Sequence, residues 1–93
     1  MWFEWDEEKN RGNFKKHGLW FEEAQTIWTD CYSQEFFDKN SSDYEERFLK
    51  IGCSTKGKVL LVVFCELGSG ETIRLISARK ATKKEERVYE KGI

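Results

Sequence analysis

The sequence predicts an α+β fold, an antiparallel sheet packed by helices in the order β-α-α-β-β-β-β-α. Helix signals flank a middle stretch in which the hydrophobic period falls from near 3.6 to two. The period-two runs are joined by links short enough to be hairpin turns. Only one run, Val59 to Cys65, is apolar throughout, which marks it as the centre of the sheet.

Phe3 to Trp5 reads as a short strand. Asp6 then offers an N-cap, and Glu7 to His17 form a polar helix that ends at Gly18, a residue that enters the left-handed region without steric cost. Phe14 is the expected buried contact of that helix. Phe21, Ala24, Ile27 and Trp28 recur at spacings of three, four and seven, one face of a second helix ending near Asp30. Tyr32 to Phe37 alternate as an edge strand, and Asp38 to Asp43 are rich in turn formers. Arg47 to Cys53 alternate again, Thr55 to Lys58 supply a tight turn into Val59 to Cys65, and Leu67 to Glu71 a second turn into a strand over Thr72 to Ala78. Thr82-Lys83-Lys84-Glu85 has the form of a capping box and sets a last helix running to about Lys91.

A chain of 93 residues supports one domain, expected over residues 1–93, and the 15% aromatic content supplies its core. The longest apolar run is far below the roughly 20 residues that cross a bilayer, and the acidic N-terminus is unlike a secretory leader, so a cytoplasmic protein without membrane contact is expected. Cys31, Cys53 and Cys65 are odd in number and lack metal or redox spacing, so they read as apolar fillers. The net charge of −1 hides an asymmetry: residues 1–46 carry −7, residues 47–71 carry +2 and residues 72–93 carry +4. A polyanion would meet the C-terminal part first.

That part holds the candidate chemistry. Arg74, Ser77, Arg79, Lys80, Lys83, Lys84 and Arg87 concentrate donors from the last strand into the last helix, and guanidinium groups match phosphate oxygens through paired hydrogen bonds. The same residues also read as a solvated helix face with one arginine in an ion pair. Glu85 and Tyr89, four apart, share a helix face; a carboxylate accepts a proton and a phenol relays one, although capping accounts for Glu85 and packing for Tyr89. His17, the one histidine, follows Lys16 in the last turn of the first helix, where a cation also complements the helix dipole. With a single histidine and no cysteine at ligand spacing, neither a metal nor another cofactor is expected.

Phe3-x-Trp5-Asp6, Lys9, Asn13, Lys16-His17-Gly18, Phe21 and Ala24, followed by Arg47 and Gly52 and then by Arg74-x-Ile76-Ser77-Ala78-Arg79-x-Ala81 with Glu85 and Tyr89, form a pattern that resembles the BrnT family of type II toxins nearly end to end. The resemblance implies a RelE-like fold and a metal-independent endoribonuclease that arrests growth, in which the ribose 2′-hydroxyl attacks the neighbouring phosphate. It implies that Arg74 and Arg79 stabilise the transition state, that Tyr89 protonates the leaving oxygen, and that Lys16 or His17 positions substrate or acts as base. Arg47, Ser77, Lys80, Lys83 and Arg87 would then hold RNA. The implied partners are RNA, free or on the ribosome, and a BrnA-like ribbon-helix-helix antitoxin through which operator DNA is bound. The alternative is a binding module, or an inactive relative, that holds a nucleic acid or protein on the same basic edge.

Overall fold

Residues 1–39 and 46–92 are described by the structure, a computed structural model. Asp6 caps the first helix as its side chain accepts the Glu8 amide at 2.8 Å, and α1 runs Glu7–His17 until Gly18 turns the chain at φ 72°. The second helix is shorter than its periodicity suggests: α2 covers Phe21–Ala24 and continues as a 3₁₀ turn over Gln25–Thr29. Four strands follow β1 (Trp2–Glu4), namely β2 (Gln34–Phe37), β3 (Phe48–Cys53), β4 (Val59–Leu67) and β5 (Thr72–Lys80). The last helix, α3, runs Lys83–Lys91 behind a complete capping box between Thr82 and Glu85. The expected turn Asp38 to Asp43 falls largely outside the described residues.

The sheet order is β1-β5-β4-β3-β2, with β4 in the middle as its apolar run predicts. The expectation of an antiparallel sheet needs one correction. β2 to β5 form an antiparallel meander, but β1 pairs in parallel with β5, Phe3 beside Ile73, so the sheet is mixed. A pairing between residues about 70 apart in sequence leaves no local signal.

One face of the sheet carries the main core: Leu60, Val62, Phe64, Ile73, Leu75 and Ala78 pack against Leu19, Phe21, Ala24 and Ile27. Gly52 permits the approach, since a Cβ there would lie 3.0 Å from the Ile27 Cβ. The second face carries a smaller cluster of Ile51, Leu61 and Tyr89, with α3 packed on it. Phe14 does not anchor α1 as expected; it is 41% exposed and stacks on Trp20 at 4.2 Å. Two buried asparagines anchor the helix instead. Asn10 accepts the Phe21 amide at 2.7 Å. Asn13 accepts the Ala78 amide at 3.0 Å and donates to the Ala78 carbonyl at 2.9 Å, satisfying the edge of β5 beyond the end of β1. Of the cysteines, Cys65 is buried and Cys53 half-buried, whereas Cys31 is exposed and fills nothing. No helix among the described residues is long and apolar enough to cross a membrane.

Candidate functional site

A single irregularity in β5 decides which side chains reach the second face. Val63 pairs with Ser77 and Phe64 with Leu75, so Ile76 is an extra residue opposite the Val63/Phe64 step. In a regular strand Arg79, Ser77, Leu75 and Ile73 would share a face. The extra residue resets the alternation: Leu75 and Ile73 join Ala78 in the main core, and Arg74 comes to the side of Ser77 and Arg79. Two arginines five positions apart thus present to one face.

Across the sheet from Arg74 lies Cys65 of β4. Arg47 stands one residue before Phe48, the partner of Phe64, so the register carries Arg47 into the same row. Arg47 and Arg74 line one cavity of about 120 Å³ together with Leu75, Ile76, and Asp6 and Lys9 from the start of α1. Three cations and one carboxylate therefore border a space suited to a phosphate group. The Arg74 Nε is 3.6 Å from a Glu4 carboxylate oxygen, and both side chains are about half exposed, at 50% and 48%, so water and salt screen the pair and an anion can displace it.

Arg79 is held differently. Its two terminal nitrogens donate to the two Glu85 oxygens at 2.7 and 2.9 Å, and Glu85 Oε1 also accepts the Thr82 amide at 2.8 Å. The Arg79 hydrogen bonds, against some desolvation and with help from the Thr82 amide, lower the Glu85 carboxyl to about 2. The same bonds raise the Arg79 guanidinium above its ordinary value. Tyr89 is 7% exposed and its hydroxyl donates to Asp30 Oδ2 at 2.6 Å. Burial first, and then the Asp30 bond and charge, push the phenol well above its ordinary value. Burial alone would raise Asp30, but the Tyr89 hydroxyl and the Cys53 and Tyr32 amides outweigh it and hold the carboxyl below its usual range. Gln34 Nε2 donates to the Tyr89 carbonyl at 3.2 Å, completing the attachment of α3.

Arg74, Arg79 and Tyr89, expected to converge on one spot, have different partners. Arg74 lines a cavity with Arg47 and Lys9, while Arg79 pairs with Glu85 of α3 and the Tyr89 hydroxyl bonds to Asp30. The reason is long-range: nothing near Tyr89 in sequence announces that Asp30 lies opposite its hydroxyl. Ser77 shares the face of the two arginines, whereas Lys80, at the end of β5, lines a separate cavity with Lys58 and with Glu86 and Glu90 of α3. Lys83 and Arg87 are exposed and one turn apart on α3. Lys16 is exposed and His17 half-buried in the last turn of α1, about 12 Å of helix from Lys9 at the rise of an α-helix.

The sequence reading missed Asp6 and Lys9. Their spacing of three, one helical turn, put both on one flank of α1, but the capping role of Asp6 was already a sufficient explanation for it. A larger cavity of about 490 Å³ lies past the far end of β3, lined by Trp20, Glu22, Glu23, Thr26, Thr55 and Lys56. Two carboxylates against one lysine make it unsuited to a phosphodiester.

The model of one protein family, described as "Ribonuclease toxin, BrnT, of type II toxin-antitoxin system", matches residues 5–85. No curated protein matches the chain. Among solved structures, the ribonuclease toxin BrnT of Brucella abortus is similar, with 28% sequence identity and a TM-score of 0.66 over 89% of this chain and 99% of that one.

Proposed function

The chain belongs to the BrnT family of ribonuclease toxins of type II toxin-antitoxin systems, and from that membership we propose that it cuts RNA at the cavity between Arg47 and Arg74. The cut is made without a metal ion, by attack of a ribose 2′-oxygen on the adjacent phosphorus. The observation that carries this reading is the arrival of Arg47, immediately before β3, and of Arg74 from β5, on either side of β4, at one phosphate-sized space. As the 2′-oxygen adds, negative charge accumulates on the non-bridging oxygens, and the two guanidinium groups that line the space stabilise it by charge-assisted hydrogen bonds once the anion displaces the Glu4 contact of Arg74. The cations in this space take the electrostatic part that a divalent ion would otherwise play.

Ser77, on the same face, and Lys16, Lys83 and Arg87 on the flanking helices hold the neighbouring phosphates. His17 orients the strand near Lys16, and Lys80 contributes only long-range charge from its separate cavity beside α3. Arg79 and Tyr89 serve the reaction through the position of α3. The enzyme is one domain acting in the cytoplasm on free or ribosome-bound RNA, and cleavage arrests growth. A BrnA-like antitoxin silences it by covering the basic face and reaches operator DNA on its behalf; an interface of the usual size, about 1,200–2,000 Å² in total, is enough to occlude that face.

The test is cleavage of an RNA oligonucleotide by the purified chain in the presence of a chelator. Products ending in 2′,3′-cyclic phosphate, with no cut at a position bearing a 2′-deoxy sugar, are expected. Tight binding of RNA without cleavage would replace this reading with a binding module.

A further inference from the structure

Two of the groups lining the Arg47–Arg74 cavity, Asp6 and Lys9, are a carboxylate and an ammonium carried by the first turn of α1. We propose that Asp6 is the general base and Lys9 the general acid of the cleavage, an assignment that rests on the phosphodiester lying between Arg47 and Arg74 as read above. The Asp6 cap uses Oδ1, which accepts the Glu8 amide at 2.8 Å, and among the described residues Oδ2 accepts no hydrogen bond. Capping therefore fixes the carboxylate without consuming it. The helix that carries both groups is itself fixed, because the buried Asn13 side chain bonds both backbone groups of Ala78 in β5. The pair is thus held against the strand that supplies Arg74, on rigid elements and not on a loop.

The proton carriers expected from the sequence lie elsewhere. The Tyr89 hydroxyl is committed to Asp30, and His17 stands at the opposite end of α1. The charged groups that bear on Asp6 are Lys9, Glu7 and Glu8 of its own helix, Arg74 of β5 with its partner Glu4 of β1, and Arg47 just before β3. The 2′-oxygen forms its bond to phosphorus as its proton passes to Asp6 Oδ2. The bond from phosphorus to the 5′-oxygen breaks, and that oxygen takes a proton from the Lys9 ammonium. A 2′,3′-cyclic phosphate and a 5′-hydroxyl result; Asp6 then releases its proton to water and Lys9 regains one.

Asp6→Asn isolates the base, because asparagine caps a helix as well as aspartate does and folding is spared. Its single-turnover cleavage rate should fall about 100-fold or more, the range of general base catalysis, with unchanged affinity for an RNA carrying a 2′-deoxy sugar at the cut site. The acidic limb of the pH–rate profile should vanish with it. Lys9→Arg keeps the charge but cannot supply the proton, so it too should be slow. It should recover on an RNA whose 5′-oxygen is replaced by sulfur, a leaving group that departs unprotonated. A wild-type rate and profile in Asp6→Asn, while Arg47→Ala/Arg74→Ala is inactive, overturns this assignment and leaves the site standing. Full activity of the double arginine variant overturns the site itself.

Discussion

Arg74 and Arg79 leave the same strand on the same face of the sheet, and their surroundings make them different residues. Arg79 meets Glu85 through two short parallel bonds on a helix that is capped by that same glutamate. Arg74 meets Glu4 through one contact of 3.6 Å between half-exposed groups, beside a cavity that Arg47 and Lys9 also enter. A paired guanidinium whose partner is bound on every side has little left to offer a substrate. One held loosely beside other cations gains by acquiring an anion. In the proposed site the run Arg74-x-Ile76-Ser77-Ala78-Arg79 gives one arginine to the ligand and one to the architecture, and the bulge at Ile76 is what lets both face the same way.

The largest effect that would break this contrast belongs to the cavity. Arg47→Ala/Arg74→Ala should lower the rate of RNA cleavage at least about 100-fold, as expected when donors to a developing anion are removed. Arg74→Ala alone should move the melting temperature by no more than about 2 °C, since Arg74 is half exposed, whereas the Arg47 Nε is buried and its loss costs more. Arg79→Ala should give the converse, a loss of stability with cleavage within about threefold of the parent. If Arg79→Ala were the inactive variant and the cavity variant active, the assignment of the two ends of β5 would be reversed.

A smaller effect sharpens the comparison at α3. Tyr89→Phe removes the 2.6 Å bond to Asp30, and a hydrogen bond to a charged acceptor supports a loss of about 1.5–3 kcal/mol in urea denaturation. Cleavage should persist near the parental rate, because the hydroxyl points to Asp30 and not to the arginine cavity. The burial and the Asp30 bond that raise the phenol also set the pH dependence. The folded value lies above the ordinary 10.0, so this contribution is complete below pH 10.0 and is lost as the pH rises beyond it. The Phe variant should lack that alkaline loss, which titration of stability by circular dichroism would detect.

Much of the fold was legible because its signals are local. The Asp6 cap, the Gly18 stop, the Thr82–Glu85 box and the apolar run of β4 each occupy a few adjacent residues. The parallel pairing of β1 with β5, the bulge at Ile76 and the Asn13 bridge to Ala78 were not legible, since each depends on a partner far along the chain. The site divides in the same way. Arg47 and Arg74 could be named from their chemistry, but the choice between Arg74 and Arg79 needed Glu4, Glu85 and the cavity in view. Tyr89 looked like a proton carrier for as long as Asp30 was out of sight. Asp6 was passed over for the opposite reason: one structural role explained it, and a capping oxygen leaves its twin unaccounted for.

The weakest expected effect is the acid sensitivity of the α3 clamp. The Arg79 bonds lower Glu85 to about 2 from an ordinary 4.5, so the stability they confer is present above pH 4.5 and is lost as the pH falls toward 2. The Arg79 side chain is 38% exposed and that of Glu85 25%, so solvent screening limits the pair to about 0.5–1 kcal/mol despite its good geometry. Glu85→Gln keeps a side chain able to accept the Thr82 amide but removes the charge. Its stability should therefore trail the parent by that small amount at pH 7 and draw level as the pH falls below 4.5. A gap that stays constant from pH 7 down to 3 would mean that the cap, and not the charge on Glu85, holds the end of β5, and Arg79 would then be as available to an anion as Arg74 is.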